Sequence, residues 1–518
     1  MTNKQQTNNK KDNNNNNNNT KNNNSNGVTL DRQLTFTKHT TNVTKAASSS
    51  CRILAALSNS EWGWRKQYLT NIYFSHVKSK LDYAGPAWQG NLQRTNIDIL
   101  ERTQNKALRL ITGQFKSTPI PSLRAEAGIP SYETQMLRNA VKSVEKAKRL
   151  PSGHPRRLAL EASVKRRVDR GSWIARADEV MKEYNIPNLA PRKSLRYHDF
   201  PPWEDGNIPN IYPEVPDLEG RGDTPDRKKS LVYKRIRELN ATYIIYSDGS
   251  ASGGVANGGA AAIVTLGDPE SPTIIDTLKK RGSPITCSFE EEVTAMHLAT
   301  DWVIQHCSKG DQVLVCTDSQ SMCQALSGKD LATQNLRVKL QNTAATISVQ
   351  WIPGHSDIVG NEMADMAAKA ATTLDEPPVE ISYGSICSFI NSKITDTELY
   401  RKQKSAHERT NEVYRSYSKK KEETITTHKD QVLLARIRSG HHWLFGSYQQ
   451  LVDPAYDPKC QECGAATHDL QHWFLHCPAT SHIRQRLVGT TDWKLDLLTS
   501  DPTVAITFTR AALGQQSQ

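Results

Sequence analysis

No stretch of this chain approaches the ~18 consecutive apolar residues that a membrane-spanning helix needs, and the N-terminus lacks the apolar core of a secretory signal. Cysteine is sparse. Nine thiols in 518 residues, mostly scattered singly, fit a reducing compartment better than a disulfide framework. These shortages point to an intracellular protein, nuclear or cytoplasmic, that is not secreted and has no membrane partner. Acidic residues are also in deficit: 54 Asp and Glu against 66 Lys and Arg leave a net charge of +12. An excess of that sign suits a polyanionic partner such as a nucleic acid backbone. The length exceeds one ordinary domain and calls for three or so.

Against this background, residues 242–373 stand out. Thr242 to Ser250 is an apolar, β-branched and aromatic run that delivers one carboxylate, Asp248, and then breaks at Gly249. Its period reads as a buried strand with an acid at its end. Val255–Leu266 and Thr273–Lys280 follow as two further short strands, a meander. From Cys287 to Cys307, Val293, Met296, Ala299, Val303 and Ile304 recur at helical spacing, with Glu292 one turn before Met296. A second apolar run, Gln312 to Thr317, again ends in an aspartate, Asp318, and passes into a helix at Ser319. Ile347–Trp351 is a strand, Pro353-Gly354-His355 a loop, and Ile358–Ala371 a helix carrying Asp365.

Four carboxylates thus sit at strand ends or on core-facing helices: Asp248, Glu292, Asp318 and Asp365. Each alone has an ordinary explanation, since an aspartate after a strand is usually a cap or turn residue. Together they do not, because converging acids raise one another's pKa and nothing in folding favours them. A divalent cation does, and hard oxygen ligands select Mg²⁺ or Mn²⁺.

The strings YSDGS, SFEEEVTAMHLA, VCTDSQS and WIPGHSDIVGNEMADMAAKA, in that order, resemble type 1 ribonuclease H, and more narrowly the ribonuclease H domain of non-LTR retrotransposon polyproteins. The resemblance implies an α/β ribonuclease H-like fold, a mixed five-stranded sheet with helices on both faces. It implies that Asp248, Glu292, Asp318 and Asp365 are a metal-binding tetrad for two Mg²⁺ or Mn²⁺ ions, and that His355, ten residues before Asp365, is the mobile-loop histidine. Glu290, Glu291 and Glu292 are consecutive, but only Glu292 has alanines three and seven ahead, as the family pattern requires. The implied activity is hydrolysis of the RNA strand of an RNA–DNA hybrid, with two cations about 4 Å apart serving the attacking and leaving oxygens. Telling RNA from DNA requires reading the 2′-hydroxyl across a wide minor groove, for which Ser250 and Asn257, along with Ser252, Ser288 and Ser319, are candidates.

The flanks read differently. Residues 1–26 are low in complexity, with Asn at more than half the positions, and are expected to be a disordered tail. Residues 27–150 carry helical patterns, notably Leu92–Ile111, where Ile97, Leu100, Ala107, Leu108 and Ile111 oppose Arg102, Lys106 and Arg109. GVTLDRQLTF, LDYAGPAWQG, ERTQNKALRLITG and STPIPSLRAEAGIP resemble, more loosely, the thumb of the reverse transcriptases of the same retrotransposons. That implies a helical thumb-like region whose basic helix faces nucleic acid backbone. Yet Asp-Asp, which the polymerase of that family needs, occurs nowhere, and only 26 residues precede the thumb-like part. Polymerisation is therefore not expected, and the chain reads as a truncated copy.

Residues 151–240 are expected to be a linker, basic around Arg156, Arg157, Lys165, Arg166, Arg167 and Arg170, and rich in proline from Pro201 to Pro216. Residues 374–430 read as a charged helical connector. In the C-terminal region, 431–518, Cys460-x2-Cys463 is followed by His472 and Cys477, four ligands suited to tetrahedral Zn²⁺. His468 and His476 compete for the third place. CQECGAATHDLQHWFLHCP resembles the CCHC segment that follows ribonuclease H in these polyproteins, which selects His472. Two functions from different classes follow: a metal-dependent endoribonuclease acting on hybrids, or a catalytically idle nucleic-acid-binding remnant.

Overall fold

The computed structural model describes residues 23–25, 27–162, 172–188, 191–193, 200–201, 203–204, 210–218, 223–328, 330–376, 379–403, 412–414, 424–489 and 493–515. The remaining residues lie outside that description. They include most of the Asn-rich tail, Lys165 to Arg170 of the basic stretch, Pro202 and Pro209, and most of the charged 404–423 segment. The described residues fall into two compact units, Thr134–Ala406 and Met1–Glu133 with His407–Gln518.

In the Thr134–Ala406 unit, six strands form one sheet: β1 (Asn210–Tyr212), β2 (Tyr243–Ser252), β3 (Ala256–Leu266), β4 (Thr273–Arg281), β5 (Gln312–Thr317) and β6 (Thr346–Trp351), in the order β1-β6-β5-β2-β3-β4. The meander β2-β3-β4 is antiparallel, while β1, β6, β5 and β2 run parallel. The expected five strands are thus joined by a sixth. It is only three residues long and comes from the stretch read as linker, where flanking prolines hide a strand signal. Nor does β2 break at Gly249; it continues to Ser252.

Helices cover both faces. On one, Ile245, Val264, Val313, Val315, Ile347 and Val349 pack under α4 (Ser288–His306), α5 (Gln320–Ser327) and α6 (Gln334–Gln341). On the other, Ile244, Tyr246, Ala261, Ile263, Leu314 and Cys316 pack under α3 (Pro225–Glu238) and α7 (Val359–Ala371). The alternation follows from the two-residue period of strands buried on both sides. Helix α3 also lies inside the expected linker. Thr224 caps it, accepting from the Arg227 amide, and Pro225 opens it. Within α4, Met296, Ala299 and Val303 are buried as the spacing requires, but Ile304 is exposed.

A third core in this unit joins segments from both sides of the sheet in sequence. Leu137, Val141 and Val144 of α1 (Tyr132–Lys148), Ala177 and Val180 of α2 (Trp173–Glu183), and Ile386, Phe389 and Ile390 of α8 (Tyr383–Gln403) bury one another together with Ile285. Residues 134–150 therefore belong with the sheet, not with the thumb-like region.

In the other unit, helices Thr37–Leu57 and Arg94–Thr112 pack side by side, and Asn23–Ser25 pairs antiparallel with Val28–Leu30. The C-terminal core, with Leu434, Ile437, Phe445, Trp473, Phe474, Trp493 and Phe508, belongs to the same unit. Glu126 ties the two sequence halves: its carboxylate accepts from Lys66 Nζ at 2.9 Å, from Arg438 at 3.2 and 3.3 Å, and from the Tyr414 hydroxyl at 2.8 Å. The 27–133 and 431–518 regions are one folded body rather than two separate domains.

Candidate active site

Strand register brings the first two acids together. Ser247 on β2 pairs with Thr317, the last residue of β5, so Asp248 on β2 and Asp318 just past the end of β5 each follow the same paired position. Gly249 then admits the first turn of α4: a Cβ on it would lie 2.4 Å from the Glu292 amide nitrogen. This close approach delivers Glu292 to the two aspartates. The three carboxylates offer oxygens all within 4.8 Å of one another.

The electrostatics are those of crowded acids. Burial, then Asp318 and Asp365, push Asp248 up to about 7. Burial, then Asp248 and Asp318, hold Glu292 well above the usual carboxylate range. Asp318 is raised by burial, against the pull of Asn361, whose Nδ2 lies 3.4 Å from Asp318 Oδ2, and of His355. Glu292 Oε2 is buried with no hydrogen-bond partner among the described residues. Crowded oxygens with an unspent acceptor are a donor set that fits a hard divalent cation.

Asp365 is not one of the three converging residues. Its Oδ2 accepts from Lys369 Nζ at 2.6 Å, one turn along α7, although its charge still reaches Asp248 and Asp318. His355 is exposed in its loop with φ 50°, and Gly354 beside it leaves room for Asp318, whose Oδ2 would lie 2.8 Å from a Cβ there. Ser250 is half-buried on β2, and Asn257 is exposed with φ 48° at the start of β3. Nothing in the spacing of Asn361 marks it as a neighbour of Asp318 on another element, whereas Lys369 lies one helical turn after Asp365 on the same helix.

The C-terminal motif also assembles. Cys460, Cys463, His472 and Cys477 present ligand atoms all within 4.8 Å. Cys463 Sγ lies 3.3 Å from His472 Nε2, and Cys460 Sγ 3.9 Å from Cys477 Sγ. Three thiols and one imidazole converging this way fit Zn²⁺. Of the competing histidines, His468 is buried edge-on to Phe445 with an unpartnered Nε2, and His476 is exposed.

On the Arg94–Thr112 helix, Arg102 and Lys106 are exposed, whereas Arg109 is half-buried and donates to the Asn105 and Lys116 carbonyls. Lys106 lines an open cleft of about 480 Å³ with Lys45 and Arg52 of the neighbouring helix.

The RNase H family model matches residues 240–373. Among solved structures, the chain is similar to the N-terminal RNase H domain of a Mycobacterium tuberculosis protein solved as a maltose-binding-protein fusion, at 20% identity over 25% of this chain and 98% of that one, TM-score 0.21. It is similar to LC11-RNase H1 in complex with an RNA/DNA hybrid, at 16% identity over 25% and 99%, TM-score 0.22. It is also similar to a foamy viral protease-reverse transcriptase in complex with double-stranded DNA, at 17% identity over 26% and 96%, TM-score 0.22. No curated protein matches the chain. Residues 240–373 are an RNase H domain with an RNase H-like fold.

Proposed function

We propose that this chain is a metal-dependent endoribonuclease that cuts the RNA strand of RNA–DNA hybrids, and that its helical unit and CCHC segment come from a non-LTR retrotransposon reverse transcriptase. The observation that carries the nuclease reading is the convergence of buried Asp248 and Glu292 with half-buried Asp318, their oxygens all within 4.8 Å of one another. Their mutual repulsion raises their pKa values, and a bound divalent cation would offset it while leaving the oxygens charged. The likeness of the flanking motifs to thumb and CCHC segments supports the retrotransposon reading.

Divalent cations held by these carboxylates supply charge stabilisation for the attacking and leaving oxygens of an in-line phosphodiester hydrolysis. Asp248, Glu292 and Asp318 would hold them, and Asp365, now paired with Lys369, would be the fourth ligand if that ion pair opened. His355, whose charge already acts on Asp318, moves the proton to the leaving 3′-oxygen through its imidazole. Ser250 and Asn257 read the 2′-hydroxyl of the RNA strand from the minor groove. Arg102 and Lys106, exposed on the helical unit, contact nucleic acid backbone phosphates.

The test is direct. Purified chain is incubated with labelled RNA–DNA hybrid, duplex DNA and duplex RNA, in Mg²⁺ or EDTA. Mg²⁺-dependent cutting of the hybrid's RNA strand alone is the expected result. Hybrid binding without cutting makes the chain an idle remnant, and cutting of duplex DNA makes it a nuclease of another specificity.

A further inference from the structure

Glu290, Glu291 and Glu292 follow one another on the first turns of α4, and successive residues on a helix point about 100° apart. Three adjacent carboxylates therefore leave the helix in three directions. Glu292 enters the acid cluster. Its two predecessors go elsewhere, and neither is left to solvent as a helix-surface glutamate ordinarily is.

Glu291 is 3% exposed. Its Oε1 accepts from the Thr286 hydroxyl at 2.6 Å, and the Ser283 amide also donates to this carboxylate. The slot that holds it is made by two absent side chains. A Cβ at Gly258 would lie 2.1 Å from Oε1 and one at Gly282 2.4 Å, while the two glycine backbones bond to each other, Gly282 N–H donating to the Gly258 carbonyl at 2.8 Å. The carboxylate thus plugs the ends of β3 and β4.

Glu290 reaches the opposite way. Its two oxygens accept from the hydroxyls of Ser382 and Ser385, and Ser382 in turn accepts the Ser385 amide at 3.0 Å at the start of α8. That helix is fixed from behind: Ile386, Phe389 and Ile390 share a core with Ile285, and Arg149 donates to the Ile381 carbonyl at 3.2 Å. All of these lie in one compact unit.

Helix α4 needs such anchors. Its N-cap residue, Cys287, provides no side-chain hydrogen bond, and an uncapped first turn is the part of a helix that frays and rotates most readily. Rotation by a single residue position would swing Glu292 about 100° out of the cluster.

We propose that Glu290 and Glu291 are positioning residues for Glu292, clamping the first turn of α4 between the sheet end and α8, so that a helix outside residues 240–373 sets the active-site geometry. This rests on Glu292 being a metal-holding acid. It makes the segment after residue 373 a working part of the nuclease rather than a connector.

The experiment uses the full chain and the variants Ser382→Ala/Ser385→Ala, Glu290→Ala, Glu291→Ala and Glu291→Gln. The expected result is a kcat for hybrid cleavage about tenfold lower in the serine pair and in Glu290→Ala, with KM within about twofold, because misplacement of one metal-holding group acts on the chemical step. Mn²⁺ titration followed by electron paramagnetic resonance should show about fivefold weaker binding in the same variants. Glu291→Gln, which still accepts from Thr286, should retain more of both than Glu291→Ala. Hydrogen exchange over residues 288–296 should quicken in the serine pair, whose melting temperature should stay near that of the parent chain. Wild-type kcat, Mn²⁺ affinity and exchange in the serine pair would overturn the proposal. Should the parent chain fail to cut hybrid at all, the nuclease reading falls, while quickened exchange in the variants would still uphold the clamp.

Discussion

Gly249 stands so close to Glu292 that any side chain on the glycine would collide with the glutamate's own backbone, at 2.4 Å. The strand and the first turn of α4 touch main chain to main chain, and neither has a flexible end to move aside. Gly249→Ala should therefore cost about 2–3 kcal/mol of stability as an overpacking change, and reduce hybrid cleavage about a hundredfold by displacing Glu292. Thermal melting and single-turnover cleavage on the same preparation check both. An alanine variant with unchanged activity would mean that the approach of strand to helix does not set the position of Glu292.

The acid cluster trades stability for chemistry. With its carboxyl pushed up to about 7, Asp248 is harder to ionise in the folded than in the unfolded chain. At pH 8, where it is nevertheless charged, its charge destabilises the fold. Asp248→Asn should then raise the melting temperature by about 2–4 °C in EDTA while abolishing cleavage. Millimolar Mn²⁺ should narrow the difference, because it stabilises only the parent. Scanning calorimetry with and without the ion reads this out. An asparagine variant less stable than the parent in EDTA would contradict the picture of mutual repulsion.

Much of this site was legible before any coordinates because each acid follows a strong local signal. Asp248 and Asp318 end β-branched runs, and Glu292 and Asp365 sit on helices whose apolar spacing is plain. The misses have physical reasons. Strand β1, three residues between prolines, has no room to show a period. Helix α3 is so rich in Lys and Arg that Val232, Tyr233 and Ile236, its buried face, are easily overlooked. The union of residues 27–133 with the C-terminal region leaves no local trace, since Glu126 and Arg438 meet across 312 positions of sequence. The pairing of Asp365 with Lys369 is the four-residue helical spacing at which opposite charges meet. In the run of three glutamates only Glu292 fits the family pattern, and the burial of Glu291 lies beyond what periodicity shows.

Four ligand atoms already gathered within 4.8 Å predict a stoichiometric zinc. Metal analysis of chain purified without chelator should find about one Zn²⁺ per chain. Because the motif's Trp473 and Phe474 are part of the C-terminal core, stripping the ion should unfold that core rather than a detached tail. A loss on the order of 10 °C in its melting temperature is expected, since structural zinc contributes directly to folding. His472→Ala should lose the metal. His468→Ala should keep it, because that ring is edge-on to Phe445 instead. Zinc retained in the first variant and lost in the second would reverse the ligand assignment.

Glu126 makes the last prediction, because it joins distant parts of one unit through charges that have almost no access to water. Burial by itself would raise its pKa; Lys66 and Arg438 outweigh that and pull it down to about 2. A folded pKa below the unfolded value of about 4.5 means that stability from this group is fully present above pH 4.5 and lost as pH falls towards 2. The contribution is on the order of 3 kcal/mol for a shift of that size. The unit containing Glu126 should therefore lose stability over that acid window. Glu126→Gln should flatten the loss, at the cost of a lower stability at pH 7, since it removes the carboxylate that Lys66 and Arg438 share. Removing one partner of a buried charge group typically costs about 3–5 kcal/mol. Urea unfolding at pH 7, 4 and 3, followed by tryptophan fluorescence from the core around Trp473 and Trp493, measures both effects. If the parent and Glu126→Gln lost stability in parallel between pH 4.5 and 3, the group would be bystander rather than tie.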